Sequence, residues 1–346
     1  MPPAAEVERL VREAATAEDL SGTVLVADGN QVVAEAFGGL ADRAAGVATS
    51  AATRFGTASV TKMFTAVAVA RQVERGAFGF QTRVREILPA DWYPPALDES
   101  ATVHNLLTHT SGIPDYLPDE DPTTPDLWLA LGNPGIRRAV DFVSILRALP
   151  QGVPPTTVAS YCNAGYVVLG LVLEATSGTA YSDAIVTDVF EPAAMLDSGF
   201  LPFDEQHRDI AVGWLPPDAE HPEERTNIDL LPVAGAPDGG AFSTTRDLVR
   251  FFTALHGGGL LSPATRQALL TPWAFGASGE TGTGYGQLIR EHGGRRWIGH
   301  TGGDPGVAAM AFHSPGDGVS LIVLSNRSDG AGGLWRRIAR SLPASG

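Results

Sequence analysis

The sequence predicts an α/β lobe with a mostly helical lobe inserted into it, and three observations carry the prediction. Strand-like runs rich in β-branched residues occur near both ends of the chain. The stretch between them is dense in proline and shows helical patterns instead. At 346 residues the chain is long for one compact domain and suits two lobes that share a core. The expected division places residues 1–76 and 241–346 in the α/β lobe, where both chain ends meet in one sheet, and residues 77–240 in the helical lobe. A cleft between two such lobes is where small-molecule sites usually lie.

The elements follow in order. MPPAAEVERLVREAATAEDL reads as an amphipathic surface helix with Val7, Leu10 and Val11 on one face. It has acidic residues throughout and no apolar core of the kind a signal peptide needs, so a cytoplasmic protein is expected. Ser21–Ala27 and the run from Gln31 flank Asp28-Gly29-Asn30 and predict a β-hairpin. Arg54-Phe55-Gly56 reads as a short extended piece, and a helix pattern starts near Ser59 and stops at Gly76. FVSILRAL and AGYVVLGLVLEATSG are helical segments of the middle region, and TTRDLVRFFTALH is a further helix with Thr244 or Thr245 as its cap. GYGQLIREHGGRRWIGHTGG predicts a hairpin pair, VAAMAFHSP and VSLIVLSN two more strands, and GGLWRRIARSL a closing helix.

Composition removes whole classes of function. The formal net charge is -15, with no clustered cations, which argues against a nucleic-acid partner. No apolar run approaches the ~18 residues of a membrane span. The single cysteine, Cys162, excludes an internal disulfide framework and any CxxC metal or redox site. It reads as a small buried filler.

Of the 24 basic residues, 23 are arginine and one is lysine, Lys62. Arginine stays charged, whereas lysine can be neutralised by its surroundings and then accept a proton. Ser59 precedes Lys62 by three residues, so on a helix the two share a face. Ser59 would lie in the first turn, where free N–H groups favour developing negative charge. A serine nucleophile beside an amine base is one form of covalent catalysis.

Ser59-Val60-Thr61-Lys62 resembles the S-x-x-K motif of the serine β-lactamase and penicillin-binding-protein superfamily. Tyr161-Cys162-Asn163 and His300-Thr301-Gly302 follow in the order of that superfamily's Y-x-N and K/H-T-G elements. The spacings resemble the branch of class C β-lactamases, D-peptidases and family VIII esterases, as do VHNLLTHTSGIPDY and GGAFSTTRDLVRFFTAL. The likeness runs from about Ser21 to Ser328. It implies a β-lactamase/DD-peptidase-like fold: an antiparallel sheet flanked by helices, with an inserted mostly helical lobe.

The resemblance also implies roles. Ser59 would form an acyl-enzyme, Lys62 and Tyr161 would share the base work, and Asn163 would bond the acyl side chain or Lys62. The N–H groups of Ser59 and Gly303 would form the oxyanion hole. Thr301, Gly302 and Gly303 would present a bare strand edge to substrate. Two positions depart from the commoner pattern: His300 stands where class C β-lactamases carry lysine, and Cys162 where serine is commoner. The histidine form is similar to D-peptidases and esterases.

Other candidates weigh less. His104 and His109 fit no zinc spacing and read as structural. Asp119-Glu120-Asp121 reads as a solvated loop, and Gly282–Gly286 as a turn before a strand rather than a phosphate loop. Loops from about 115 to 135 and from 202 to 237 are expected to shape the pocket. The expected function is a serine hydrolase acting on an ester or amide, with a small-molecule or peptide acyl substrate and no metal or cofactor. An acyltransferase, peptide cyclase or thioesterase would use the same acyl-enzyme, and a non-catalytic ligand-binding or sensor protein could use the same fold.

Overall fold

In the computed structural model, residues 4–117, 135–217 and 221–342 are described. The reading of Asp119-Glu120-Asp121 lies outside them. Gly22–Asp28 (β1) and Gln31–Gly38 (β2) form the expected hairpin. Six more strands come from the last quarter of the chain: Ala274–Phe275 (β3), Gly282–Thr283 (β4), Leu288–His292 (β5), Arg295–Asp304 (β6), Val307–Ser314 (β7) and Val319–Ser325 (β8). They join the hairpin in one eight-stranded sheet, ordered β2-β1-β8-β7-β6-β5-β4-β3. Every neighbouring pair is antiparallel.

Helices cover both faces of this sheet. The principal ones are Ala4–Ala17 (α1), Thr61–Glu74 (α2), Asn163–Ser177 (α3), Thr245–Gly257 (α4) and Gly332–Ser341 (α5). Strand periodicity sorts the core in two. Val24 and Val26 of β1 and Leu321 and Val323 of β8 pack with Val7 and Val11 of α1 and Leu334, Trp335 and Ile338 of α5. The alternate residues Leu25, Ala27, Ile322 and Leu324 share a core with Phe64 and Val67 of α2 and Val167 and Leu171 of α3. Because both faces are covered, β7 and β8 are buried along their whole length, which explains their near-continuous apolar sequences.

Three local details refine the sequence expectations. The helix at Ser59 opens with a separate 3-10 turn, Ala58–Val60, before α2 begins. Thr244, not Thr245, caps α4, its hydroxyl accepting from the Asp247 N–H at 3.1 Å. Among the described residues of the middle region, α3 is the one long helix. Its shorter described α-helices are Val84–Ile87, Val103–Leu107, Val143–Ala148 and Tyr181–Ile185, with a 3-10 turn at Ala139–Phe142 and a π-helical turn at Val186–Phe190. Between residues 191 and 241 the described chain holds only two two-residue strands and one 3-10 turn, apart from isolated bridges. Pro202, Pro216, Pro217, Pro232 and Pro237 fall in this stretch and cannot donate to helix or sheet. No helix among the described residues is long and apolar enough to cross a membrane.

Candidate active site

Ser59 stands where the chain is pinned to residues 241–243. Phe55–Gly56 pairs with Phe242–Ser243, and the Thr57 N–H and hydroxyl both donate to the Ala241 carbonyl at 2.8 Å. The Ala241 N–H donates to the Thr61 hydroxyl at 3.1 Å. Between these anchors Ala58 adopts a left-handed conformation, with φ 45. Such a conformation costs a non-glycine residue about 1–3 kcal/mol and persists only where its surroundings fix it. It turns the chain into the 3-10 turn that carries Ser59, directly ahead of α2. β6 passes directly over this corner: a Cβ on Gly302 would stand 2.2 Å from the Thr57 carbonyl oxygen, so only glycine fits there.

Lys62 is fully buried, at 0% exposure. Its Nζ lies 2.7 Å from Asn163 Oδ1, 2.6 Å from the Asp238 carbonyl oxygen and 3.0 Å from Ser59 Oγ. The first two partners only accept, so they fix two of its N–H groups. The third position of the nitrogen faces a hydroxyl, which can either accept or donate. The rings of Tyr161 and Tyr166 flank the amine, with centroids 4.9 and 5.5 Å away. Behind it, Gly286 of the glycine-rich turn meets the helix backbone. With φ 68, a Cβ there would lie 2.6 Å from the Lys62 carbonyl oxygen.

Asn163 is held by a residue that sequence reasoning missed. α3 begins after Cys162, whose side chain makes no capping bond. The Asp115 carboxylate fills that place. It accepts from the Asn163 N–H at 2.8 Å, the Asn163 side-chain amide at 2.9 Å and the Ala164 N–H at 3.1 Å. With its amide nitrogen committed to Asp115, Asn163 turns Oδ1 to Lys62. The only sequence signal is a lone acid after Pro114, in a segment already noted for its family likeness.

His109 also bears on the site. The Cys162 N–H donates to its Nδ1 at 3.1 Å, and its ring lies 4.5 Å from that of Tyr161. Burial, with Lys62 and His300 nearby, holds its pKa well below the usual histidine range. His104, by contrast, bonds Tyr285 at 2.8 Å and stays structural. Cys162 is buried, its thiol pushed up by burial and donating to the Ile113 carbonyl at 3.3 Å. Tyr161 is 44% exposed, and its hydroxyl makes no hydrogen bond among the described residues.

His300 is buried beside Tyr161, ring to ring at 6.1 Å. Burial, and then the Lys62 charge, push its pKa down to about 3. It is therefore neutral at pH 7. Its Nδ1 lies 2.5 Å from the Thr301 carbonyl oxygen, which assigns the proton to Nδ1 and a lone pair to Nε2. Pairing of β6 with β5 ends at Gly299. From His300 to Asp304 that edge of β6 carries no strand among the described residues, while the other edge pairs with β7. A Cβ on Gly303 would meet nothing within 4 Å. No group of three or more His, Cys, Asp or Glu suited to a metal ion occurs among the described residues.

A cavity of about 430 Å³ adjoins this arrangement, its wall including Ala58, Gly303, Asp238 and Asp304. Much of the rest of its lining comes from residues 203–242, a stretch that overlaps the expected 202–237 loop and runs past its end. Most of the other loop, 115–135, lies outside the described residues.

The β-lactamase family model matches residues 7–342. The chain is 31% identical over 307 residues to "Penicillin-binding protein 4" of Amycolatopsis lactamdurans, covering 84% of this chain and 77% of that one. It is 34% identical over 205 residues to "Esterase EstB" of Burkholderia gladioli, covering 57% of this chain and 52% of that one. Among solved structures, a penicillin-binding protein from Bacillus halodurans superposes with a TM-score of 0.84 at 35% identity, covering 94% of this chain and 96% of that one. With the model spanning nearly the whole chain, over an antiparallel sheet flanked by helices, the protein belongs to the β-lactamase family.

Proposed function

We propose that the protein is a serine hydrolase in which Ser59 takes the acyl group of an ester or amide and water then releases it. One observation carries the reading. A fully buried amine has two N–H groups fixed on pure acceptors and its third position on Ser59 Oγ at 3.0 Å. Once Lys62 has given up a proton, that position is a lone pair, and Lys62 takes the serine proton while Oγ attacks the acyl carbon. The carbonyl electrons move to oxygen, and the N–H groups of Ser59 and Gly303 receive the resulting charge.

Collapse of the intermediate expels the leaving group, which needs a proton. Tyr161, exposed with its ring against Lys62, gives up its own hydroxyl proton to the leaving group and takes back from Lys62 the proton that came from Ser59. In the second half the same groups activate water. The unpaired edge at Thr301, Gly302 and Gly303 lets an extended substrate lie along β6 as an added strand. His300, being neutral, adds no cation to the site. The relatives called penicillin-binding protein and esterase support the ester or amide class.

The test is turnover of p-nitrophenyl butyrate. Wild type is expected to hydrolyse it, and Ser59→Ala to lose about 10⁴-fold or more in kcat. Wild-type turnover retained in the alanine variant would sink the proposal.

A further inference from the structure

Three contacts from His109 surround Tyr161. The His109 carbonyl oxygen accepts from the Ser160 N–H at 2.9 Å, and its Nδ1 accepts from the Cys162 N–H at 3.1 Å. These donors are the residues immediately before and after Tyr161. The His109 ring lies 4.5 Å from the Tyr161 ring, tilted by 32°. The histidine is itself firmly held. It is only 4% exposed, and the Tyr166 ring packs against it 5.0 Å away. Tyr166 is fully buried, its hydroxyl donating to the Leu107 carbonyl at 3.0 Å. The backbone adds a constraint, because His109 is left-handed, with φ 57, just past the helix Val103–Leu107. Few residues other than glycine adopt that conformation readily, and histidine is one of them.

From this geometry we propose that His109 is a positioning residue for proton transfer at Tyr161. It fixes the ring so that the hydroxyl passes its proton to the leaving group and recovers one from Lys62. The inference rests on the acyl-enzyme reading of Ser59 and adds the residue that aims its acid. Tyr161 has few other supports. Its hydroxyl makes no hydrogen bond among the described residues, and the side chain is 44% exposed. Its other described ring contacts are with the Lys62 amine at 4.9 Å and the His300 ring at 6.1 Å. A misplacement of about 1 Å can cost about 10²-fold in rate, so a half-exposed phenol on the proton path needs such a clamp.

The position calls for this side chain. The Cys162 N–H needs an acceptor and the Tyr161 ring needs a flat partner, and neutral histidine supplies both in one group. Burial, with Lys62 and His300 nearby, keeps the imidazole neutral. Its Nδ1 therefore retains the lone pair that the Cys162 N–H uses, and the ring puts no second cation beside Lys62. Phenylalanine at this position would keep the ring and lose the acceptor. Asparagine would keep an acceptor and lose the ring.

The experiment compares kcat/KM for phenyl butyrate and p-nitrophenyl butyrate, which share an acyl group but differ in how much the leaving group needs a proton. His109→Phe is expected to lose about tenfold to a hundredfold on phenyl butyrate and only a few-fold on p-nitrophenyl butyrate. His109→Asn, which restores an acceptor, should show the same bias with a smaller loss. In a Tyr161→Phe background, His109→Phe should add little, because the group it aims is gone. Variants folded by their thermal midpoints that match wild type on phenyl butyrate, or lose equally on both esters, overturn the inference alone. So does a double variant whose loss is the product of the two single losses. Wild type that turns over neither ester, or Tyr161→Phe that matches wild type on phenyl butyrate, contradicts the underlying reading instead.

Discussion

The two faces of the sheet are built on opposite rules. On the outer face, α1 and α5 cover β1, β7 and β8 with an apolar layer in which Trp335 meets Trp297 and Phe312 at 5.3 and 5.1 Å. On the inner face, the core of α2 and α3 is interrupted by a buried amine, a capping carboxylate, a neutral histidine and an unpaired acid oxygen. The outer layer contributes stability through burial and packing. The inner one spends some of that stability to hold polar groups out of water in fixed positions. Substitutions should therefore divide, outer ones moving stability with little effect on chemistry, inner ones moving chemistry more than stability.

The largest expected effect is on the inner face. Lys62→Arg keeps the charge but replaces a compact amine by a planar group that does not release its proton near neutral pH. It is expected to lower kcat/KM for p-nitrophenyl butyrate by about 10³-fold or more. A variant within a few-fold of wild type would show that Lys62 only fills space.

Trp335→Ala is the counterpart outside. It removes a side chain with 1% exposure and is expected to cost about 3–5 kcal/mol in denaturant unfolding. At temperatures where the variant is folded, its kcat should match wild type. A large loss of kcat there would erase the distinction between the faces.

Asp115→Asn sits between the two. Its amide retains one acceptor oxygen where the carboxylate has two, so the three N–H bonds at the start of α3 cannot all survive. A loss of about 1–2 kcal/mol in stability is expected, with kcat down about tenfold as Asn163 loosens from Lys62. A stability loss with kcat unchanged would make Asp115 a helix cap and nothing more.

A further effect has the opposite sign. The Asp304 carboxyl is raised from its ordinary 3.8 to about 7 in the folded protein. Between those values the folded state holds a proton that the unfolded state has released, so this group lowers stability as pH rises. Asp304→Asn should be more stable than wild type above about pH 7, with the gain fading towards pH 4. Thermal midpoints across that range check it. No gain at high pH would mean that the carboxylate is compensated after all.

Reading the sequence alone picks out the side chains that the proposed mechanism uses through their own atoms. Ser59, Lys62, Tyr161, Asn163 and His300 are visible because their types are uncommon at those spacings, and Lys62 has no other lysine to compete with it. The hairpin at Asp28-Gly29-Asn30 and the stop at Gly76 are visible because their chemistry is local. What stays hidden acts across long separations or through the backbone. Asp238 holds Lys62 by its carbonyl, which any residue would supply. Asp115 caps a helix that starts 48 residues later. The left-handed turn at Ala58 depends on contacts to Ala241, and alanine gives no hint of it. The cavity is shaped by irregular chain between 203 and 242, which periodicity cannot describe.

The central claim is that Ser59 is a nucleophile made reactive by Lys62. Intact-protein mass after exposure to a fluorophosphonate, followed by peptide mapping, tests it most directly. The account predicts one adduct on Ser59 in wild type, none in Ser59→Ala and a strongly slowed adduct in Lys62→Arg. Labelling of Ser59→Ala at the wild-type rate, or an adduct mapped to another residue, would contradict it.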